Sequence, residues 1–183
     1  APSWGKSSIV NELLIRLIKI LILENYQVTL RLHPMTQRHQ PNLETELEKN
    51  FTSYNNYFFE SDISSEDSLL NSDIMISEWS GAAIEYAFSR ERPVIFIDTQ
   101  PKINNLNWKK INLPCLEEDI RNNIGRIVSP EKITKIPKII FEMLENTDSW
   151  SETIRNTRQR TVFNIGSSGK IGAEIICKTL SLK

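Results

Sequence analysis

The segment from residue 72 to residue 98 limits the possible folds more than any other part of the chain. An apolar run at 74–76 is followed by a polar turn, by a helical pattern at 80–89 and by a second apolar run at 94–97. Strand, turn, helix and strand in this order are typical of α/β proteins, in which helices cover a parallel sheet. This segment therefore predicts the α/β fold class.

The rest of the chain continues the alternation of strands and helices. Further strands are predicted at 26–32 and 57–59, and further helices at 7–25, 42–51, 64–70 and 130–144. Ser7 or Ser8 is expected to cap the first helix. Residues 35–41 are predicted as a polar loop, and residues 98–126 as a long loop over one edge of the sheet. Together these elements predict a Rossmann-like parallel sheet with helices on both faces.

The length of the chain indicates one domain. With 183 residues, of which 39% are hydrophobic, it can bury a core of ordinary size, so we expect a single domain over residues 1–183. Residues 148–183 are predicted to form two closing helices, divided by a glycine-containing turn at 164–169. The chain opens on a turn with no predicted element before it, and we expect it to be a fragment that lacks its upstream half.

Ser80 and Gly81 stand where a helix follows a strand. In an open parallel sheet, ligands bind beyond the carboxyl ends of the strands, where helix N-termini offer unpaired amides and the positive end of the helix dipole. A hydroxyl and an unobstructed glycine at this point predict a phosphate site. The alternative is that Ser80 only caps the helix, which needs no ligand.

Arg31 and His33 end another predicted strand, so we expect them at the same edge of the sheet. A histidine at such a position can donate to a phosphate oxygen or protonate a leaving group near neutral pH. Alternatively, His33 only caps its strand through a backbone hydrogen bond. For Arg31, the alternative is an ion pair with a carboxylate such as Asp73.

Two glutamates flank the turn. Glu78 precedes Ser80, and Glu85 follows Gly81 by about one helical turn. A carboxylate in such a position can bind ribose hydroxyls, as the acidic residue of dinucleotide-binding folds does. Otherwise Glu85 is a solvated helix residue that pairs with an arginine at 90 or 92. Trp79 either stacks on a base or fills the space between layers, and packing is the commoner role.

Residues 5–8 read Gly-Lys-Ser-Ser, which imitates the end of a phosphate-binding P-loop. The first glycine of that motif would fall before Ala1, and Trp4 is bulky for a loop that wraps a phosphate. The pattern therefore disfavours ATP hydrolysis, although Lys6 is still expected to contact a phosphate.

Charge and composition exclude several functions. A net charge of −1 gives no electrostatic footprint for nucleic acid. Two histidines and two distant cysteines, Cys115 and Cys177, do not form a zinc motif, and we expect neither a metal nor another cofactor. The cysteines favour a reduced, intracellular compartment, with both thiols buried or idle. No run of residues is apolar for long enough to span a bilayer.

Several motifs, taken in order, resemble a known family. Residues 1–5 read A-P-S-W-G, residues 31–34 read R-L-H-P, and S-D-I-M-I-S-E-W-S-G-A-A-I-E-Y-A-F precedes R-P-V-I-F-I-D. These segments resemble the C-terminal half of the CDP-glycerol glycerophosphotransferase family, whose members build or prime teichoic acids and related surface polymers. The resemblance covers roughly residues 1–100. It implies a GT-B-like architecture, in which this half binds the CDP-glycerol donor and the missing N-terminal domain supplies the catalytic base.

The resemblance also implies roles for individual residues. His33 matches a family histidine that faces the donor phosphates, and it is the implied catalytic residue here. Ser80 and Gly81 match a Ser-Ser pair, so they would hold the pyrophosphate. Glu78-Trp79 replaces the more usual Asp-Tyr, and Leu32 replaces a proline, so the donor carries glycerol, ribitol or a sugar.

The activity implied is transfer of a glycerol phosphate unit from CDP-glycerol, or another CDP-alditol, to a lipid-linked polymer. The acceptor hydroxyl attacks the β-phosphate and CMP leaves. Such an enzyme is expected to be cytoplasmic and peripheral at the inner membrane face, with the membrane contact made by the missing half. The alternatives are a GT-B sugar transferase or UDP-sugar epimerase domain, and a non-catalytic nucleotide-binding module.

Overall fold

The computed structural model describes residues 1–5, 8–62, 64–101, 103, 105, 107–111, 113 and 115–181. The helices are α1 Glu12–Leu23, α2 Pro34–His39, α3 Leu43–Phe51, α4 Asp67–Asn71, α5 Gly81–Arg90, α6 Leu116–Ile124, α7 Ile136–Leu144, α8 Thr147–Thr161 and α9 Ser168–Ser181. The strands are β1 Val28–Leu30, β2 Tyr57–Phe59, β3 Met75–Ser77, β4 Val94–Ile97 and β5 Gly125–Val128. Short 3₁₀ segments cover Trp108–Lys110 and Pro130–Lys135.

All strand pairs among the described residues are parallel. β1 pairs with β2, and β4 lies between β3 and β5, so that the strands form two sheets. A cavity of about 590 Å³ is lined by residues of both β1 and β3, among them Leu30 and Ile76. The expectation of a parallel, Rossmann-like α/β fold is confirmed, with its strands divided between two sheets.

The central strand β4 shows how the layers are arranged. Its four residues are fully buried. Ile95 and Ile97 pack with apolar side chains of α1, α3 and α7, whereas Val94 and Phe96 pack with those of α5, α6 and α8. Because side chains alternate along a strand, helices cover both faces of β4. Each of these side chains contributes roughly 1.5–3 kcal/mol through its burial.

Helix α1 begins later than its sequence pattern predicts. The side chain of Asn11, rather than that of Ser8, caps the helix by accepting from Leu13 N at 2.8 Å. Ser7 lies outside the described residues, and the hydroxyl of Ser8 is used elsewhere. The helix ends near Asn25, whose φ of 62° stops it.

Two predicted loops contain regular structure instead. Residues 35–41 were expected to be a polar loop, but α2 forms because Pro34 suits a first helical position and His33 caps it. The predicted loop at 98–126 contains α6 and the first two residues of β5. The spacing of Leu116, Ile120 and Ile124 supports α6, although charged residues between them hide the pattern.

Gly125 allows β5 to approach β4 closely. A Cβ atom at this position would lie 1.8 Å from the carbonyl oxygen of Val94. Only glycine avoids this collision, so the residue is needed for the register that joins Val94 to Gly125.

The two C-terminal helices differ in their packing. Ile154 of α8 is fully buried in the core with residues of α5 and α6. Glu91, at the end of α5, binds α8 through Arg155 and Arg158, each at 2.7 Å. By contrast, no described side chain of α9 is buried. Of the two predicted closing helices, α8 therefore completes the core.

Candidate phosphate site at the carboxyl ends of the strands

A buried carboxylate organises the end of β3. Glu78 is 1% exposed and follows the last residue of the strand. Its oxygens accept hydrogen bonds from Ser3 N at 3.0 Å and from Ile9 N at 3.2 Å. Thr99 Oγ1, just beyond β4, donates to Oε2 at 3.2 Å. These bonds join the end of β3 to the residues that follow β4 and to the start of the chain.

The hydroxyl of Ser8 completes this arrangement. Its Oγ lies 2.9 Å from Glu78 Oε1 and 2.8 Å from the carbonyl oxygen of Ser3. One hydroxyl proton serves one acceptor at a time, so Ser8 alternates between the two. The same oxygen also accepts from Val10 N at 3.2 Å, ahead of the first residue of α1.

The N-terminal segment, described here as residues 1–5 and 8–9, therefore crosses the strand ends. Besides the Ser3 bond, Ala1 N donates to Ile76 O at 2.9 Å, and Ser77 Oγ donates to Ala1 O at 2.6 Å. Glu78 was expected to contact a donor molecule. In this structure its oxygens hold protein groups, and ligand binding by Glu78 stays a prediction.

Trp4 extends the same segment to the end of β1. The centroid of its ring lies 6.1 Å from that of His33, and 5.9 Å from that of His39, on which it stacks with an angle of 14° between the planes. Ser3 contacts Glu78 while the adjacent Trp4 contacts His33. Residues 3 and 4 thus contact residues beyond the ends of both β1 and β3, which belong to separate sheets, and a shared donor site at these ends stays a prediction.

His33 has a structural role that also sets its chemistry. Its Nδ1 accepts from Met35 N at 3.1 Å, which caps α2. Because Nδ1 accepts, the neutral ring carries its proton on Nε2, and that nitrogen is the donor of the imidazole. The capping alternative is thus observed, and it is compatible with a second role toward a phosphate.

Arg31 is engaged beside β1. Its Nη1 lies 2.8 Å from Glu60 Oε2 and also donates to Ser65 O. Burial raises the pKa of the Glu60 carboxyl, but hydrogen bonds from Ser68 and Arg31 outweigh it and hold the pKa below its ordinary value. The carboxylate that pairs with Arg31 is therefore Glu60 rather than Asp73, and donor binding by Arg31 stays a prediction.

Ser80 occupies the N-cap position of α5 without acting as a side-chain cap. Its backbone is extended and its hydroxyl makes no capping hydrogen bond. The space around Gly81 is open, since a Cβ atom there would meet nothing within 4 Å. Capping by the Ser80 hydroxyl is therefore not observed, and phosphate binding at this helix start stays a prediction.

The remaining predicted residues are less informative. Glu85 is exposed on α5, and within the described part of the chain no ion pair joins it to an arginine. Lys6, the P-loop-like lysine, lies outside the described residues. The thiols were expected to be buried or idle, and both cysteines are exposed rather than buried.

The sequence did not point to Arg121, which lies beside this site on α6. Its Cζ lies 4.0 Å from the ring centroid of Trp79 and 5.0 Å from that of Phe96. Trp79 is held in turn by a bond from Nε1 to Thr99 O at 2.8 Å. Trp79 therefore packs between elements, as the commoner reading predicts. In the sequence, the helical pattern of α6 could have indicated that Arg121 lies on a helix packed against the core.

Among the described residues, no three His, Cys, Asp or Glu side chains gather as a metal site. Within the same residues, no helix combines the length and the apolar character required to cross a bilayer.

Comparison with known proteins identifies the family. The sequence model of CDP-Glycerol:Poly(glycerophosphate) glycerophosphotransferase matches residues 6–102, more than half of the chain. Searches of the curated proteins and of the solved structures gave no significant match. The matched range contains His33, Glu78, Ser80 and Gly81. By this match, the chain belongs to the CDP-glycerol:poly(glycerophosphate) glycerophosphotransferase family, a family of transferases.

Proposed function

We propose that this domain binds CDP-glycerol, or a closely related CDP-alditol, and presents its diphosphate for transfer of glycerol phosphate to a polymer. Membership of the family supports the class of reaction. The donor-binding role rests on the geometry at the strand ends.

The observation that carries the proposal is the start of α5, where the Ser80 hydroxyl makes no capping bond. Ala83 N bonds to Ser80 O at 3.1 Å, but no hydrogen bond from Gly81 N or Ala82 N is found among the described residues. Together with the helix dipole and the open space at Gly81, these groups suit the pyrophosphate of a nucleotide. Ser80 and Gly81 would contact its oxygens directly.

His33 would supply a further contact with the donor phosphates. Its Nε2 proton is suited to hydrogen-bond a phosphate oxygen, and Trp4 and the Met35 amide fix the plane of the ring. Donors placed where negative charge develops stabilise the transition state more than the ground state.

The reaction then follows in one displacement. An acceptor hydroxyl oxygen forms a bond to the β-phosphorus, and the bond from that phosphorus to the bridging oxygen breaks. CMP leaves with the bonding electrons, and a base takes the proton of the hydroxyl. By the family resemblance, the base belongs to another domain, and the acceptor is a lipid-linked polymer at the inner membrane face.

Glu78 would hold this site together. Its bonds to Ser3, Ile9 and Thr99 fix the two loops that flank the start of α5. Arg31, Glu85 and Lys6 remain further candidates for contacts with the donor.

A nucleotide panel tests the proposal. Melting temperature is measured with CDP, CDP-glycerol, UDP, UDP-N-acetylglucosamine, GDP and Mg-ATP, because a ligand that binds the folded state raises it. We expect CDP and CDP-glycerol to give the largest increases. A preference for UDP compounds would favour a sugar transferase or epimerase, and no response to any compound would contradict donor binding by this domain.

A further inference from the structure

Arg121 is a buried cation whose hydrogen-bonding capacity is only partly used. The residue is 3% exposed, and its Nη1 lies 3.2 Å from Asp98 Oδ1. Its Nε and Nη2 are buried, and no hydrogen-bond partner for either is found in the described part of the chain. A buried charged donor without a partner lowers the stability of the folded protein. We therefore expect these two nitrogens to bind an acceptor.

The two unused nitrogens have a specific geometry. Nε and Nη2 form one edge of the planar guanidinium, and their N–H bonds point in parallel. This edge matches two oxygens of a phosphate or carboxylate. Asp98 engages the remaining nitrogen and leaves the bidentate edge unoccupied.

Aromatic rings hold the guanidinium in place. Its Cζ lies 4.0 Å from the Trp79 centroid and 5.0 Å from the Phe96 centroid. The Trp79 ring is itself fixed by its bond to Thr99 O. A guanidinium immobilised in this way loses little entropy when it binds an anion, which favours affinity.

The position of Arg121 links it to the start of α5. Trp79, on which it stacks, directly precedes Ser80. Glu78, the residue before Trp79, accepts a hydrogen bond from the amide of Ser3. The hydroxyl of Ser3 is a further buried group with no partner in the described residues. Groups with unused hydrogen-bonding capacity therefore lie beside both residues of this pair, Arg121 beside Trp79 and Ser3 beside Glu78.

We infer that Arg121 is an anion-binding residue of this site and that its Nε–Nη2 edge binds two oxygens of the donor's diphosphate. The identity of the anion rests on the proposed function, whereas the binding edge rests on the geometry alone. Because both nitrogens are buried, atoms that cover them must move aside when the anion enters.

Calorimetric titration of the full chain tests this inference, with CDP and cytidine as a matched pair that differs in the diphosphate. We expect R121K, which keeps the charge but not the bidentate edge, to weaken CDP binding at least tenfold. We expect it to leave cytidine binding unchanged. R126K is the control, because Arg126 pairs on the surface with Glu142 at 2.8 Å.

D98N is a second variant that does not alter the arginine. Asp98 is half exposed, so the protein should fold, and the loss of its competing charge should tighten CDP binding several-fold. Wild-type affinity for CDP in both R121K and D98N would overturn the inference. If R121K does not fold, D98N decides alone.

The two proposals fail in different ways. If wild-type protein binds no CDP, the proposed function fails, and inorganic pyrophosphate becomes the probe for Arg121. Loss of pyrophosphate binding in R121K would then support the inference, and wild-type protein that binds no pyrophosphate would overturn it.

Discussion

The backbone amide of Ser3 donates to Oε1 of Glu78 at 3.0 Å, although 75 residues separate the two in sequence. This bond places the N-terminal segment across the ends of the strands. The next residue, Trp4, has its ring centroid 6.1 Å from that of His33, so this segment contacts residues beyond the ends of both β1 and β3. The candidate donor site is therefore assembled by a buried carboxylate that supports the neighbouring loops.

Replacement of Glu78 by glutamine should destabilise the protein. The amide nitrogen of glutamine cannot accept from Ser3 or Ile9, and the bonds to the remaining oxygen lose their ionic character. We expect the free energy of unfolding to fall by about 2 kcal/mol, as measured by urea denaturation. Glu85→Gln, on the exposed side of α5, is the control. Equal stability of E78Q and wild type would contradict this role.

Replacement of His33 by asparagine separates its two roles. Asparagine is a favourable N-cap, so it should still accept from Met35 N and keep α2 stable. It lacks the Nε2 donor, and we expect affinity for CDP-glycerol to fall about tenfold, the loss of roughly one charge-assisted bond. His39→Asn, which removes the other ring beside Trp4, is the control. If H33N binds CDP-glycerol as tightly as wild type does, the role of His33 is only to cap α2.

Replacement of Glu91 by glutamine should reveal a pH-dependent contribution to stability. Hydrogen bonds from Arg155 lower the pKa of this carboxyl from 4.5 to about 2; partial burial opposes them, and bonds from Ser151 and Arg158 add to them. Because the folded pKa lies below the unfolded one, the contribution is complete above pH 4.5 and is lost as pH falls toward 2.

The measurement is urea denaturation of E91Q and wild type between pH 7 and about pH 3. We expect a difference in unfolding free energy of about 1 kcal/mol at pH 7, reduced by solvent screening of this partly exposed group, and a smaller difference at the acidic end. A difference that does not change with pH would rule out the ion pairs as its source.

Replacement of Gly125 by alanine should be severe. The added Cβ would lie 1.8 Å from Val94 O, so β5 must move away from β4. We expect a loss of more than about 3 kcal/mol in unfolding free energy, or no folded protein. Gly172→Ala on α9 meets no atom within 4 Å and should be neutral or slightly stabilising. Similar stability of the two variants would contradict the close packing of these strands.

Local sequence patterns predicted several individual strands and helices closely. The strand at 94–97 has the predicted bounds, and α5 differs from its predicted helix by a single residue at each end. Both elements are short, strongly patterned and bounded by clear signals. The position of Ser80 and Gly81 at the start of the helix that follows β3 was also predicted from this local pattern.

The features that the sequence did not predict depend on contacts between segments that are distant in the chain. Ser8 looks like a helix cap in the sequence, but its hydroxyl donates to the carboxylate of Glu78. No periodic pattern in the sequence predicts that long-range bond. Arg121 lies in a segment whose charged residues resemble a loop, and its burial depends on rings supplied by Trp79 and Phe96. Functional groups of this kind become visible only when distant segments are brought together.

The central claim is that the start of α5 binds the diphosphate of CDP-glycerol, and calorimetry of wild type and Ser80→Ala tests it most directly. We expect S80A to bind CDP-glycerol about tenfold more weakly, the loss of one charge-assisted hydrogen bond. Its stability should stay within about 0.5 kcal/mol of wild type, because the hydroxyl makes no capping bond. Ser89→Ala, at the other end of the helix, should match wild type in both. Unchanged affinity in S80A, or no binding by wild type, would contradict the account.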